Sequence, residues 1–142
     1  MPAALVDAFR TCSLALLLLL VAAAPAVRAD ELADFHAAVA QVSAECRDAL
    51  GVLETSGPEQ TAAAVGRVRE SWQLVVQQFG AHRPAGFVDQ EDYTTTMLDI
   101  DMRLVGALII INAGRQDAAR KALSGIEEIL SRLEIASAPP AE

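Results

Sequence analysis

DELADFHAAVAQVSAECRDALGVL, residues 30–53, fixes the fold class. Its apolar residues Leu32, Phe35, Val39, Val42, Cys46, Ala49 and Leu53 are separated by alternating steps of three and four. That rhythm puts them on one stripe of an α-helix, the seam by which a helix joins a bundle. Asp30 is placed to cap this helix. Immediately after it, Ser56-Gly57-Pro58-Glu59 reads as a capping box that opens a second helix, with Gly57 also suited to end the first. Val65, Val68, Trp72, Val75 and Phe79 repeat the same spacing. A connection this short forces the two helices into an antiparallel pair.

Further along, the pattern predicts a third helix over about 90–112. Asp89 and Asp92 stand at its start, and Tyr93, Met97, Ile100, Leu104, Ala107 and Ile111 form one stripe. Its second half, Val105 to Ile111, is apolar almost all round, and such a stretch is buried on more than one side. Val105, Leu108, Ile109 and Ile110 are therefore the candidate face for a second subunit. Asn112-Ala113-Gly114 ends this helix, Gly114 suiting a left-handed C-cap, and a fourth helix carries Ala119, Leu123, Ile126, Leu130 and Leu133. Residues 137–142 read as a disordered tail. No segment alternates with period two over a useful length, so strands have little support. The expected fold is all-α: an up-down-up-down four-helix bundle over 30–136, with tight 1–2 and 3–4 turns and a longer 2–3 loop.

Upstream of residue 30 the composition changes. The chain has 142 residues, 53% of them hydrophobic and 4% aromatic, and a formal net charge of -8. Residues 1–29 hold a disproportionate share of the hydrophobic total, with 22 of 29 positions apolar, which leaves about 47% for the remainder, an ordinary globular fraction. The unbroken run Leu14 to Ala24 has the length of a signal-peptide core and is too short to span a bilayer. Pro25 breaks it, and Val27-Arg28-Ala29 presents small residues at the -3 and -1 positions, which predicts cleavage between Ala29 and Asp30. The expected destination is the periplasm or the exterior, with no stable membrane insertion after cleavage. Cys12 precedes the apolar run, where it cannot be a lipid attachment site. Cys46 then remains as a lone thiol, which excludes an internal disulfide scaffold.

Arg10, Arg28 and Asp7 fall in the first segment, so residues 30–142 carry 9 of the 11 basic and 18 of the 19 acidic residues, a net of -9. That balance argues against nucleic acid or an anionic membrane surface as a partner.

The bundle topology collects the start of the first helix, the loop after the second, the start of the third and the end of the fourth at one end. His36 and His82 are placed there with Phe35, Phe79, Phe87 and Tyr93, the candidate end pocket, and with Arg83, Glu91, Asp92, Arg132 and Glu134 nearby. Two imidazoles and a carboxylate can hold a transition metal, and one imidazole can hold a haem iron. The simpler arrangement has the phenylalanines closing the core, His36 donating to a carboxylate beside the seam and His82 solvated in the loop. Cys46, about 15 Å along the helix from His36, reads as a small buried hydrophobe. Met97 and Met102 face apart, and Asp99 and Asp101 do not converge. Asp99 and Arg103 have the spacing of a surface ion pair, and Glu127 and Glu128 read as a solvated face.

Several chemistries lack their residues: there is no Cys-x-x-Cys-His, Glu-x-x-His, His-Glu-x-x-His or Gly-x-Ser-x-Gly, and no phosphate-cradling glycine loop. A secretion signal, about 113 further residues, tight 1–2 and 3–4 turns and a Pro-containing 2–3 loop resemble the periplasmic four-helix bundles of the cytochrome b562 and cytochrome c-prime type. The resemblance implies haem between a ligand near the start of helix one, where this chain has His36, and a ligand near the end of helix four. Residues 117–135 contain no His, Met or Cys, and the covalent attachment motif is absent. The sequence thus leads to an exported, non-enzymatic binding or accessory bundle that takes a protein partner or a second copy of itself. The alternative is a metal- or haem-binding bundle using His36 and His82.

Overall fold

A computed structural model describes residues 30–87 and 92–141. The proposed signal segment, Asp89, Gln90 and Glu91 lie outside the described residues. Among the described residues the structure is all-helical, with four helices packed on one another and no strand. They are α1 (30–55), α2 (Pro58–Phe79), α3 (Tyr93–Asn112) and α4 (Gln116–Ser137). Every residue of the four sequence stripes is buried, in a single core that also takes in Phe87 from the loop after α2. Twenty or more residues make each helix about 30 Å long or more, enough for the five to seven stripe residues that each carries.

Contacts between residues far apart in sequence set the mutual order of the helices. Along α1, His36 meets the backbone of Glu134, Cys46 meets Leu123, and the carbonyl of Leu53 accepts from Gln116, so positions rise on α1 as they fall on α4. Ion pairs Arg47–Glu127 at 3.8 Å and Glu54–Arg120 at 3.6 Å run along the same seam. On the other side, α2 and α3 are joined by Arg69–Asp101, by the Trp72 indole N–H donating to the Met97 carbonyl, and by the Tyr93 hydroxyl donating to the Phe79 carbonyl.

The helix ends follow local chemistry, with some departures from expectation. Asp30 already lies within α1. The capping box at Ser56-Gly57-Pro58-Glu59 does not form. Gly57 is the N-cap, with extended backbone and no side-chain cap, and Pro58 takes the first helical position, where its missing N–H costs nothing. Nor does Gly57 end α1 in a left-handed conformation, since its φ is -80°. Thr61 answers from inside the helix, its hydroxyl donating to the Gly57 carbonyl at 3.0 Å.

α3 begins at Tyr93, later than the pattern suggested, because Asp92 terminates the loop as a true N-cap. One carboxylate oxygen accepts from the Thr94 N–H and the other from the Thr95 hydroxyl. Gly114, at φ 71°, makes the expected left-handed stop, with its own N–H donating to Ile111 and the Arg115 N–H to Ile110. α4 runs one residue past the expected domain end: Ser137 is helical and fully buried, so it belongs to the core and not to the tail.

Candidate functional site

Four rings close one end of the bundle. Phe35 from α1 sits edge-on to Phe79 of α2 at 5.2 Å and to Phe87 of the loop at 5.6 Å, and tilted against Tyr93 of α3 at 6.0 Å; Phe87 meets Tyr93 at 5.8 Å. Edge-to-face packing at these separations uses the ring quadrupoles as well as burial. Delivery of Phe87 depends on the loop, in which its N–H donates to the Pro84 carbonyl and Gly86 takes a φ of 87°, the conformation that only glycine adopts freely at the third position of a tight turn. The proposed end pocket is thus a filled aromatic layer: all four of its residues are buried against one another.

His36 lies beside this layer, half-buried. Its Nδ1 is 3.0 Å from the Glu134 carbonyl and 3.1 Å from the Ser137 hydroxyl oxygen, and that hydroxyl donates to the same carbonyl at 3.1 Å. A carbonyl can only accept, so Nδ1 carries the proton. The acceptor is a backbone group at the end of α4 where the sequence suggested a carboxylate, because the last turn of any helix leaves carbonyls without intrahelical donors. His36 therefore caps α4 from another helix. His82 is exposed in the loop. Among the described residues no group of three or more His, Cys, Asp or Glu side chains is arranged to hold a metal ion, and α4 offers no second axial ligand to complete a haem site with His36.

Cys46 is fully buried, as its place on the seam required, with its thiol 3.8 Å from the Leu123 carbonyl. Burial pushes it up to about 12, the Glu127 charge adding to the effect and Arg47 opposing it. At neutral pH it is a thiol without nucleophilic character. Tyr93 is also pushed up to about 12, by burial first and by the Glu31 charge second. Among the described residues, the side-chain atoms Ser43 Oγ and Glu45 Oε2 are buried without a hydrogen-bond partner.

Outside the core the four helices differ. Leu98, Met102 and Ile109 on α3 are 58%, 72% and 65% exposed, with Val105 half-buried between them. Spaced by four, three and four, they form a second apolar stripe on the side of α3 away from the core. Of the four residues proposed from the sequence as a subunit face, Leu108 and Ile110 pack partly against this chain's own core, and Ile109 is the most exposed. The structure adds Leu98 and Met102, which lie before the continuous apolar run that starts at Val105. Met97 is buried and Met102 exposed, as their five-residue separation implied.

Charges flank the stripe and are matched. Arg103 donates to Asp99 at 2.7 Å, the expected pair, while Asp101 is held by Arg69 of α2 at 3.1 Å and is not a free solvated carboxylate. Glu127 likewise is half-buried against Arg47, whereas Glu128 is exposed. Beside Leu98, between α2 and α3, lies an open groove of about 380 Å³ lined by Gln73, Val76, Gln77, Met97, Leu98 and Asp101. No described helix is long and apolar enough to cross a membrane.

Comparison of the chain with family models, with curated proteins and with solved structures gives no match.

Proposed function

We propose that this chain is an exported interaction module: an up-down-up-down four-helix bundle, released from its first 29 residues, that works by docking a macromolecule on the outer face of α3. The observation that carries this reading is the stripe Leu98, Met102, Val105 and Ile109, which leaves three large apolar side chains in water one above another on a helix whose opposite side is already packed. Contiguous exposed apolar surface of this kind marks interaction sites, whereas scattered residues such as Leu74 and Ile135 are normal on any surface. The rest of the fold supports a passive scaffold. Its aromatic end is filled, His36 is engaged as a helix cap, and the Cys46 thiol is inert.

Export is tested by the intact mass of the protein recovered outside the cytoplasm, which this reading expects to correspond to residues 30–142; a mass retaining Leu14 to Ala24 contradicts it. Docking is tested by placing a photo-crosslinking side chain at Met102 and, as control, at the comparably exposed Leu74, in the full chain expressed in cells. Covalent adducts concentrated at position 102 are the expected result. Equal yields at the two positions, or none, overturn the reading.

A further inference from the structure

Resting on that docking reading, we infer that the occupant of the α3 face is a second copy of this chain, laid antiparallel across a two-fold axis that passes between residues 103 and 104. The stripe itself has that symmetry. Positions 98 and 109, and positions 102 and 105, lie at equal distances on either side of the axis, so Leu98 faces Ile109 of the second copy and Met102 faces its Val105. Each contact sets a flexible or γ-branched side chain against a β-branched one, which lets the two rows interdigitate. Ile109 of the second copy comes down next to the groove of about 380 Å³ beside Leu98, a ready hole for that knob. Gly106, half-buried, has open space where a Cβ would stand and puts no side chain beside the stripe to hold a second helix off.

Electrostatics selects the same face and the same direction. Two copies of residues 30–142, each of net charge -9, repel over most of their surfaces. The exposed run Thr95, Leu98, Met102 and Ile109 carries no charge, and the acids beside it, Asp99 and Asp101, are already matched by Arg103 and Arg69. A parallel pairing would bring Asp99 and Asp101 of both copies to one level and align the two helix dipoles; the antiparallel one staggers the acids and opposes the dipoles. The stripe spans eleven residues, about 16 Å, so the contact falls at the low end of specific interfaces, about 1,000 Å² in total, with a dissociation constant of about 10–100 μM.

The test is disulfide pairing across the axis in the full chain carrying Cys12→Ser, with the buried Cys46 left in place. Leu98→Cys protein, Ile109→Cys protein and a 1:1 mixture are each oxidised mildly at a concentration above the dissociation constant. The expected result is a covalent dimer several-fold more abundant in the mixture than in either protein alone, and lost when Met102→Glu is added to both, with the circular dichroism spectrum unchanged. Dominant self-pairing of Leu98→Cys, pairing that survives Met102→Glu, or no pairing at all overturns the inference. If pairing is absent while photo-adducts at position 102 contain a different macromolecule, the second copy is excluded and the docking reading stands; if both are absent, both fall.

Discussion

α3 and α4 are matched on the inside and opposite on the outside. Both bury a residue every three or four positions, Met97, Ile100, Leu104, Ala107 and Ile111 on one, Ala119, Leu123, Ile126, Leu130 and Leu133 on the other. Away from the core, α4 presents Asp117, Lys121, Ser124, Glu128 and Arg132, whereas α3 presents Leu98, Met102 and Ile109. The inner stripe is what folding demands of any bundle helix, so it is shared. The outer stripe is under no such demand. Its being apolar on α3 and polar on α4 is what the proposed docking on α3 accounts for.

If the inner faces are equivalent, truncation should cost about the same on each helix. Ile100→Ala and Leu130→Ala, both at fully buried positions, are each expected to lower the unfolding free energy by about 2–5 kcal/mol in urea titrations. A large cost on one helix with almost none on the other would break the comparison.

A second effect divides between the helices by pH. Tyr93 opens α3, and Cys46 faces α4 through Leu123. In the unfolded chain these groups ionise near their ordinary values of 10 and 9, and in the folded chain only near 12. The stabilisation from keeping them neutral is therefore complete below pH 9 and is lost as pH rises from 9 towards 12. The urea midpoint should fall across that window, with the part above pH 10 reduced in Tyr93→Phe. A midpoint unchanged from pH 8 to 12 would contradict the burial assigned to both groups.

Smaller still is the cap that α1 supplies to α4. His36→Ala removes the donor to the Glu134 carbonyl, with an expected cost of about 1 kcal/mol and faster amide exchange confined to the last turns of α4. The smallest change runs the other way. Ser43 Oγ is buried without a partner, so Ser43→Ala should raise stability by up to about 1 kcal/mol in the same titrations. Destabilisation by that variant would show that the hydroxyl does find an acceptor.

What could be read from the sequence divides along the same line between inside and outside. Every residue that the three-and-four spacing put on a stripe is buried, because periodicity is imposed by the core and repeats within one element, whereas the small or polar Ser43, Thr61 and Ala64, buried beside the stripes, gave no apolar signal of their own. The Gly114 stop and the Asp92 cap were legible because each acts within a few residues of itself. The His36 cap was not, since its acceptor lies 98 positions away and is a backbone group common to all residues. Ser137, reached by the same imidazole, looked like tail for that reason. Arg69–Asp101 joins two helices across 32 positions, and no local pattern announces it. The outer stripe did leave a signal, the four, three and four spacing of Leu98, Met102, Val105 and Ile109. It was masked by the continuous apolar run from Val105, which drew the proposed face towards Leu108 and Ile110, residues that this chain's own core partly covers.

The most direct test of the claim that the outer face of α3 is an interface is sedimentation equilibrium of the purified protein from about 1 to about 200 μM, a range that brackets the expected dissociation constant. The account predicts a mass that rises from one chain towards two across that range, remains at one chain throughout in Met102→Glu, and is unaffected by Leu74→Glu. A wild-type protein that stays at one chain at the highest concentration, or a Leu74→Glu change as disruptive as Met102→Glu, would contradict it.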